Sequence, residues 1–114
     1  VESNVEIAML YDLYGALLTE RQREVVEQYY LDDLSLTEIA ANLAVSKQAV
    51  SEQLQRSENK LREMERQLGF KKRLRAQNEI LRGVIKRLES DPSPKALQEC
   101  TTRLSDMIDR RIAE

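Results

Sequence analysis

LTEIAANLAVSKQAV, residues 36–50, decides the fold of this chain. Leu36, Ile39, Ala40 and Leu43 recur at the three- and four-residue steps of one helical face, and Val50 with Leu54 opens a second such face. Ser46 stands between the two, where a hydroxyl can accept an amide proton from the first turn of the next helix. The residues predict two helices joined by a tight turn, with Ala40 small where they must approach closely. Asn42-Leu43-Ala44-Val45 puts alanine where such a turn usually takes glycine. A left-handed backbone there costs alanine about 1 kcal/mol relative to glycine, which the fold can absorb.

Upstream, Ile7, Leu10, Tyr11, Tyr14, Leu17 and Leu18 form an apolar stripe that predicts a helix over residues 4–17. Thr19 and Gln22 make a capping box, and the helix it opens is expected to reach residue 30, burying Val25, Val26, Tyr29 and Tyr30. Asp32-Asp33 breaks that helix as a solvent-facing turn, and Ser35 with Glu38 makes a second capping box. Downstream, no breaker appears before Gly69, so the helix capped by Ser46 is long. Val50, Leu54, Leu61, Met64 and Leu68 form its seam, with Ser57 in the one polar slot. That seam fits packing within the chain and a dimer interface about equally.

Gly69 is placed as a helix C-cap, and a helix over residues 71–88 is expected to bury Leu74, Leu81, Val84, Ile85 and Leu88. A linker near residues 90–93 follows. Ser93-Pro94 then supplies a cap and a first-turn proline for a last helix lined by Leu97, Cys100, Leu104, Met107, Ile108 and Ile112. The fold class is all-α. A helix-turn-helix domain without a wing spans residues 1–68, with its long recognition helix. Residues 69–114 form a two-helix extension, packed on the first part or on a dimer partner.

Composition narrows the chemistry. Hydrophobic residues at 41 % and charged residues at 33 % describe a folded chain rather than a disordered one. With no histidine and one cysteine, Cys/His zinc sites, disulfides and histidine acid–base catalysis are excluded. Cys100 reads as a small core residue in a reducing compartment. No carboxylate pairs with a glycine-rich loop or activated nucleophile, so no enzyme, cofactor or metal is expected. The absence of a membrane-length apolar run and of a signal-peptide pattern predicts a cytoplasmic protein without membrane insertion.

Charge is distributed unevenly. Residues 1–34 hold two basic and eight acidic side chains, whereas residues 71–89 hold seven basic and two acidic. A polyanion is therefore expected to meet the middle and later parts of the chain, not its beginning.

A helix-turn-helix reads DNA through the exposed side of its second helix. The nucleic-acid-binding candidates are Lys47, Gln48, Ser51, Gln55 and Arg56: the amides suit adenine edges and the cations suit phosphates. Glu52 opposes them, and two cations give only a shallow salt dependence. A denser basic patch comprises Lys71, Lys72, Arg73, Arg75, Arg82 and Lys86, suited to phosphates or an acidic protein and lacking aromatics for base stacking.

The segment LTERQREVV, with LSLTEIAANLAVSKQAV and KLRE, resembles region 4 of bacterial sigma factors. Including YDLYGA at the front and Tyr29-Tyr30 and Asp32-Asp33, the first 68 residues or so resemble more closely the YlxM-like family of helix-turn-helix proteins associated with the signal recognition particle (SRP). That resemblance implies a regulator linked to SRP, its GTPase or the GTPase receptor; the basic patch adds SRP RNA as a contact, and the seam of Val50, Leu54, Leu61, Met64 and Leu68 allows a homodimer. The sigma resemblance implies instead a DNA-binding transcriptional regulator. On the sigma pattern Lys47, Gln48, Ala49, Ser51 and Glu52 are the matching positions, and Ala49 and Ser51 stand where sigma factors tend to place cations.

Overall fold

The computed structural model describes residues 2–108, in which six α-helices and no strand occur. They are α1 (Glu2–Tyr14), α2 (Glu20–Val26), α3 (Leu36–Leu43), α4 (Lys47–Leu68), α5 (Phe70–Ser90) and α6 (Pro94–Met107). The chain divides into two compact units, one ending at Lys71 and the other starting at Lys72. Ile112, expected on the last apolar line, lies outside the described residues.

The first unit is built on α4. Ile7, Leu10, Tyr11, Tyr14 and Leu18, with Val25 and Val26 of α2 and Ile39 and Ala40 of α3, close over Val50, Leu54 and Leu61. Ser57 is fully buried in the same row, its Oγ donating to the Gln53 carbonyl at 2.7 Å. The back-bond satisfies the buried hydroxyl within the helix. Burying these apolar groups is the main force holding the unit together.

Two stretches depart from regular helix. The first helix was expected to run to residue 17, but α1 ends at Tyr14 and a 3₁₀ turn, Gly15–Leu17, follows. Gly15 lies under the Tyr11 ring, where an added Cβ would stand 2.8 Å from Cε1. The tighter turn changes the phase of the next side chains. Leu18 is consequently buried, whereas Leu17, expected on the apolar stripe, is exposed. The second departure is a π-helical stretch, Glu27–Leu31, continuing α2. The Asp32 amide donates to the Glu27 carbonyl at 2.9 Å, five residues back. Tyr29 and Tyr30 are left half-buried there, in an edge-to-face pair with centroids 4.9 Å apart. Asp33 closes the segment at φ +58°, a left-handed conformation that Asp tolerates better than most residues.

The second unit has a small core of Val84, Ala96 and Cys100. The Cys100 Sγ lies 3.9 Å from the Val84 carbonyl. Arg87 joins the helices by donating to Glu99 at 2.9 Å. Ser93 caps α6, its Oγ accepting from the Ala96 amide at 3.2 Å, with Pro94 in the first turn. Leu74, Leu81 and Ile85, expected to be buried, are exposed. α6 meets α5 along the line of Gly83, Val84 and Arg87, through Arg103, Cys100 and Glu99, and brings small side chains to that contact, so Leu81 and Ile85 flank the covered line rather than lie on it.

Candidate nucleic-acid and partner interface

The pair α3–α4 is held by local hydrogen bonds at each boundary. At the start of α3 the Glu38 amide donates to Ser35 Oγ at 3.1 Å, and the Ser35 amide donates to Glu38 Oε1 at 3.0 Å. These bonds from Ser35 favour the ionised carboxylate and lower the Glu38 pKa. At the end of α3, Ala44 adopts φ +55° and ψ +42°. Its amide meets the Ala41 carbonyl at 3.4 Å, and the Val45 amide donates to the Ala40 carbonyl at 3.1 Å. This is the Schellman arrangement, with alanine where glycine is usual. Ser46 Oγ then accepts from the Ala49 amide at 3.0 Å and starts α4.

Val50 and Leu54 face the core, which fixes the phase of α4 and turns Lys47, Gln48, Ser51, Glu52, Gln55 and Arg56 outward. The Gln48 amide nitrogen lies 3.4 Å from Glu52 Oε1, one turn on, so the carboxylate competes for the donor that an adenine would use. Beyond these residues, Lys60 donates to the Leu17 carbonyl at 3.1 Å and ties α4 to the 3₁₀ turn. The seam residues Val50, Leu54 and Leu61 are buried in the chain's own core, Met64 packs against it, and Leu68 is exposed.

The basic residues of α5 do not lie in one setting. Lys72, Arg73, Arg75, Arg82 and Lys86 are exposed. Lys71 belongs to the first unit; its side chain is 14 % exposed and its Nζ stands 3.8 Å from Glu6. The pull on Lys71 is positional: it follows the first residue of α5, where Tyr14 and Glu65 hold the chain. Tyr14 Oη donates to Glu65 Oε1 at 2.7 Å and accepts from the Phe70 amide at 3.2 Å. Glu65 Oε1 also accepts from the Lys71 amide at 2.9 Å. Two of the amides that every helix start leaves unpaired are thus satisfied from α1 and α4.

Sequence reasoning missed a groove alongside the exposed face of α4. Asn4, Tyr29, Tyr30, Leu36, Ser51, Leu54, Gln55 and Glu58 line it, an open depression with a volume of about 450 Å³. Tyr30 Oη donates to Glu58 Oε2, Tyr11 Oη to Glu27 Oε1 at 2.5 Å, and Tyr14 Oη to Glu65. Burial, reinforced by the neighbouring carboxylate, raises the pKa of each of these three phenols. Tyr29 alone of the four tyrosines has no hydroxyl partner among the described residues. The available signal was the Tyr29-Tyr30 doublet beside a helix breaker, since two consecutive rings cannot share one regular helical face.

Capped α3, the three-residue turn and α4 with its outward polar face define a helix-turn-helix protein. The model of the UPF0122 family, helix-turn-helix proteins described as YlxM / p13 like, matches residues 1–102, and the chain belongs to that family. A UPF0122 protein of Symbiobacterium thermophilum is 53 % identical over 78 residues, covering 65 % of this chain and 73 % of the relative. One from a Thermoanaerobacter species is 39 % identical over 108 residues, covering 89 % and 92 %. One from Shouchella clausii is 35 % identical over 107 residues, covering 94 % and 98 %. No helix among the described residues is long and apolar enough to cross a membrane.

Proposed function

We propose that this protein is a regulator of the signal recognition particle pathway, acting in the cytoplasm through contacts with an SRP GTPase, its receptor or SRP RNA. The observation that supports this reading is the exposed cationic face of α5, which carries Arg75, Arg82 and Lys86 beyond Lys72 and Arg73. Among the outward candidates of the early α4 turns, only Lys47 and Arg56 are cationic. Phosphate-rich or acidic partners are attracted by the number and spacing of exposed cations, so α5 outweighs the reading helix. The full chain carrying Arg75→Glu and Arg82→Glu should lose association with SRP components in a pull-down at moderate salt while keeping its thermal transition. Undiminished association of a folded double variant would refute the assignment of this face.

A second reading, a DNA-binding transcriptional regulator of the sigma-region-4 type, is favoured by the outward set Lys47, Gln48, Ser51, Gln55 and Arg56 on an intact α3–α4 pair. It requires a defined operator. Selection from random duplexes should yield one, and its binding should be abolished by replacing Lys47, Gln48 and Arg56; failure to enrich any sequence removes this reading.

A further inference from the structure

We propose that the groove between the π-helical end of α2 and the outer face of α4 is a pocket for a guanine base, taken from an unpaired nucleotide. It rests on the RNA arm of the reading above and adds to it a site on the outer face of α4, where Ser51 and Gln55 lie. The volume of about 450 Å³ falls in the range of about 300–1,000 Å³ typical of small-molecule sites. Its wall includes the half-buried ring of Tyr29, whose hydroxyl has no partner among the described residues. Aromatic rings of this kind stack unpaired bases.

Glu58 selects the base. One of its oxygens, Oε2, accepts from Tyr30, which holds the carboxylate against the groove while leaving acceptor sites on both oxygens. An ionised carboxylate only accepts, so its complement is a planar edge with two adjacent donors. Guanine has that edge, in N1–H and the N2 amino group. Adenine and cytosine set a donor beside an acceptor, and uracil flanks one donor with two carbonyls. Gln55 and Ser51, on the same stripe of α4, add an amide and a hydroxyl for the remaining ring atoms. An arginine of a partner protein offers the same two-donor fork and also stacks on tyrosine. Arg62 argues against it: exposed and one turn beyond Glu58, it repels a guanidinium and attracts the phosphate attached to a base.

The test is fluorescence anisotropy with the full chain and a labelled single-stranded RNA, seven uridines with one central guanosine. Replacing that guanosine by inosine, which lacks only the N2 amino group, should weaken binding about tenfold, and adenosine should do the same. Tyr29→Leu should cost about tenfold for the guanosine strand. Glu58→Gln keeps an acceptor for Tyr30, so it should erase the preference for guanosine over inosine without unfolding the protein. Competition by free GMP at concentrations similar to the strand would identify a free nucleotide as the source, and competition by the strand alone a nucleic acid; both support a guanine pocket. Equal binding of the guanosine, inosine and adenosine strands would overturn it. So would displacement by an arginine-rich peptide but by neither nucleotide nor strand. Because these probes contain no SRP component, failure here leaves the outcome of the Arg75/Arg82 experiment untouched.

Discussion

Ala44→Gly should make this protein more stable. Ala44 sits at φ +55°, ψ +42° at the end of α3, fully inside the left-handed region. There the β-carbon crowds the following carbonyl at a cost of about 1–2 kcal/mol, which glycine does not incur. Glycine brings more freedom to the unfolded chain, which offsets about 0.4–1 kcal/mol of the gain. The net stabilisation is about 0.5–1 kcal/mol, or about 2–8 °C in Tm for a domain of this size. Gly69, at φ +68°, supplies the mirror experiment: a Cβ there would meet nothing within 4 Å, so Gly69→Ala isolates the backbone term. It should lower Tm by a similar amount. The two sites flank the 22-residue helix α4, about 33 Å long, and their effects should add, bringing the double variant close to the parent. Helical circular dichroism followed through urea and thermal melts measures all four proteins. A lower Tm for Ala44→Gly, alongside the expected loss for Gly69→Ala, would show that the Ala44 methyl is held by packing that outweighs the strain.

Three further outcomes follow from the packing and from the phenols. Tyr14→Phe keeps the ring beside Phe70 but removes the bonds to Glu65 and to the Phe70 amide, so urea denaturation should show a loss of about 1.5–3 kcal/mol. The phenols of Tyr11, Tyr14 and Tyr30 hold their protons more tightly folded than unfolded, so their contribution is complete below pH 10 and is lost as pH rises above it. The urea midpoint should therefore fall as pH rises from 10 to about 12, and less steeply in Tyr14→Phe; parallel slopes would count against this assignment. Ser57→Leu should destabilise by about 1–3 kcal/mol through overpacking, whereas Leu61→Ala should cost about 2–5 kcal/mol through the cavity it leaves; a Ser57→Leu protein with unchanged Tm would mean that the row along α4 has room to spare.

The features legible in the sequence were those whose partners lie within four residues. The boxes Thr19/Gln22 and Ser35/Glu38, the caps Ser46 and Ser93, and the left-handed Ala44 and Gly69 all depend on nearby backbone. The phase of α4 was legible for the same reason, and with it the outward placing of Lys47, Gln48, Ser51, Gln55 and Arg56. Leu17 was misplaced because a close approach of Gly15 to Tyr11 changes the helix type, and periodicity assumes one type throughout. Three tyrosine–glutamate bonds were not legible, since they join residues 16, 28 and 51 positions apart. The groove beside α4 depends on one of those bonds and on the π-helical stretch, so it too emerges only when the helices are assembled. Leu74, Leu81 and Ile85 follow a sound amphipathic pattern, but a pattern records which face is apolar and not which line along it a neighbour covers.

The hydrogen bonds that the first amides of α5 donate to Tyr14 and Glu65 set where this chain can be divided. Gly69 looks like the natural cutting point, because α4 ends there. A fragment stopped at Leu68 would strip Glu65 of its bond from Lys71 and Tyr14 of its bond from Phe70, leaving a part-buried phenol and carboxylate facing solvent at a frayed helix end. Three residues more restore both bonds, the Tyr14–Phe70 stack and the Lys71–Glu6 pair. The smallest piece that melts as cooperatively as the first unit should therefore end at Lys71, and the opening turn of α5 belongs, energetically, to the helices before it.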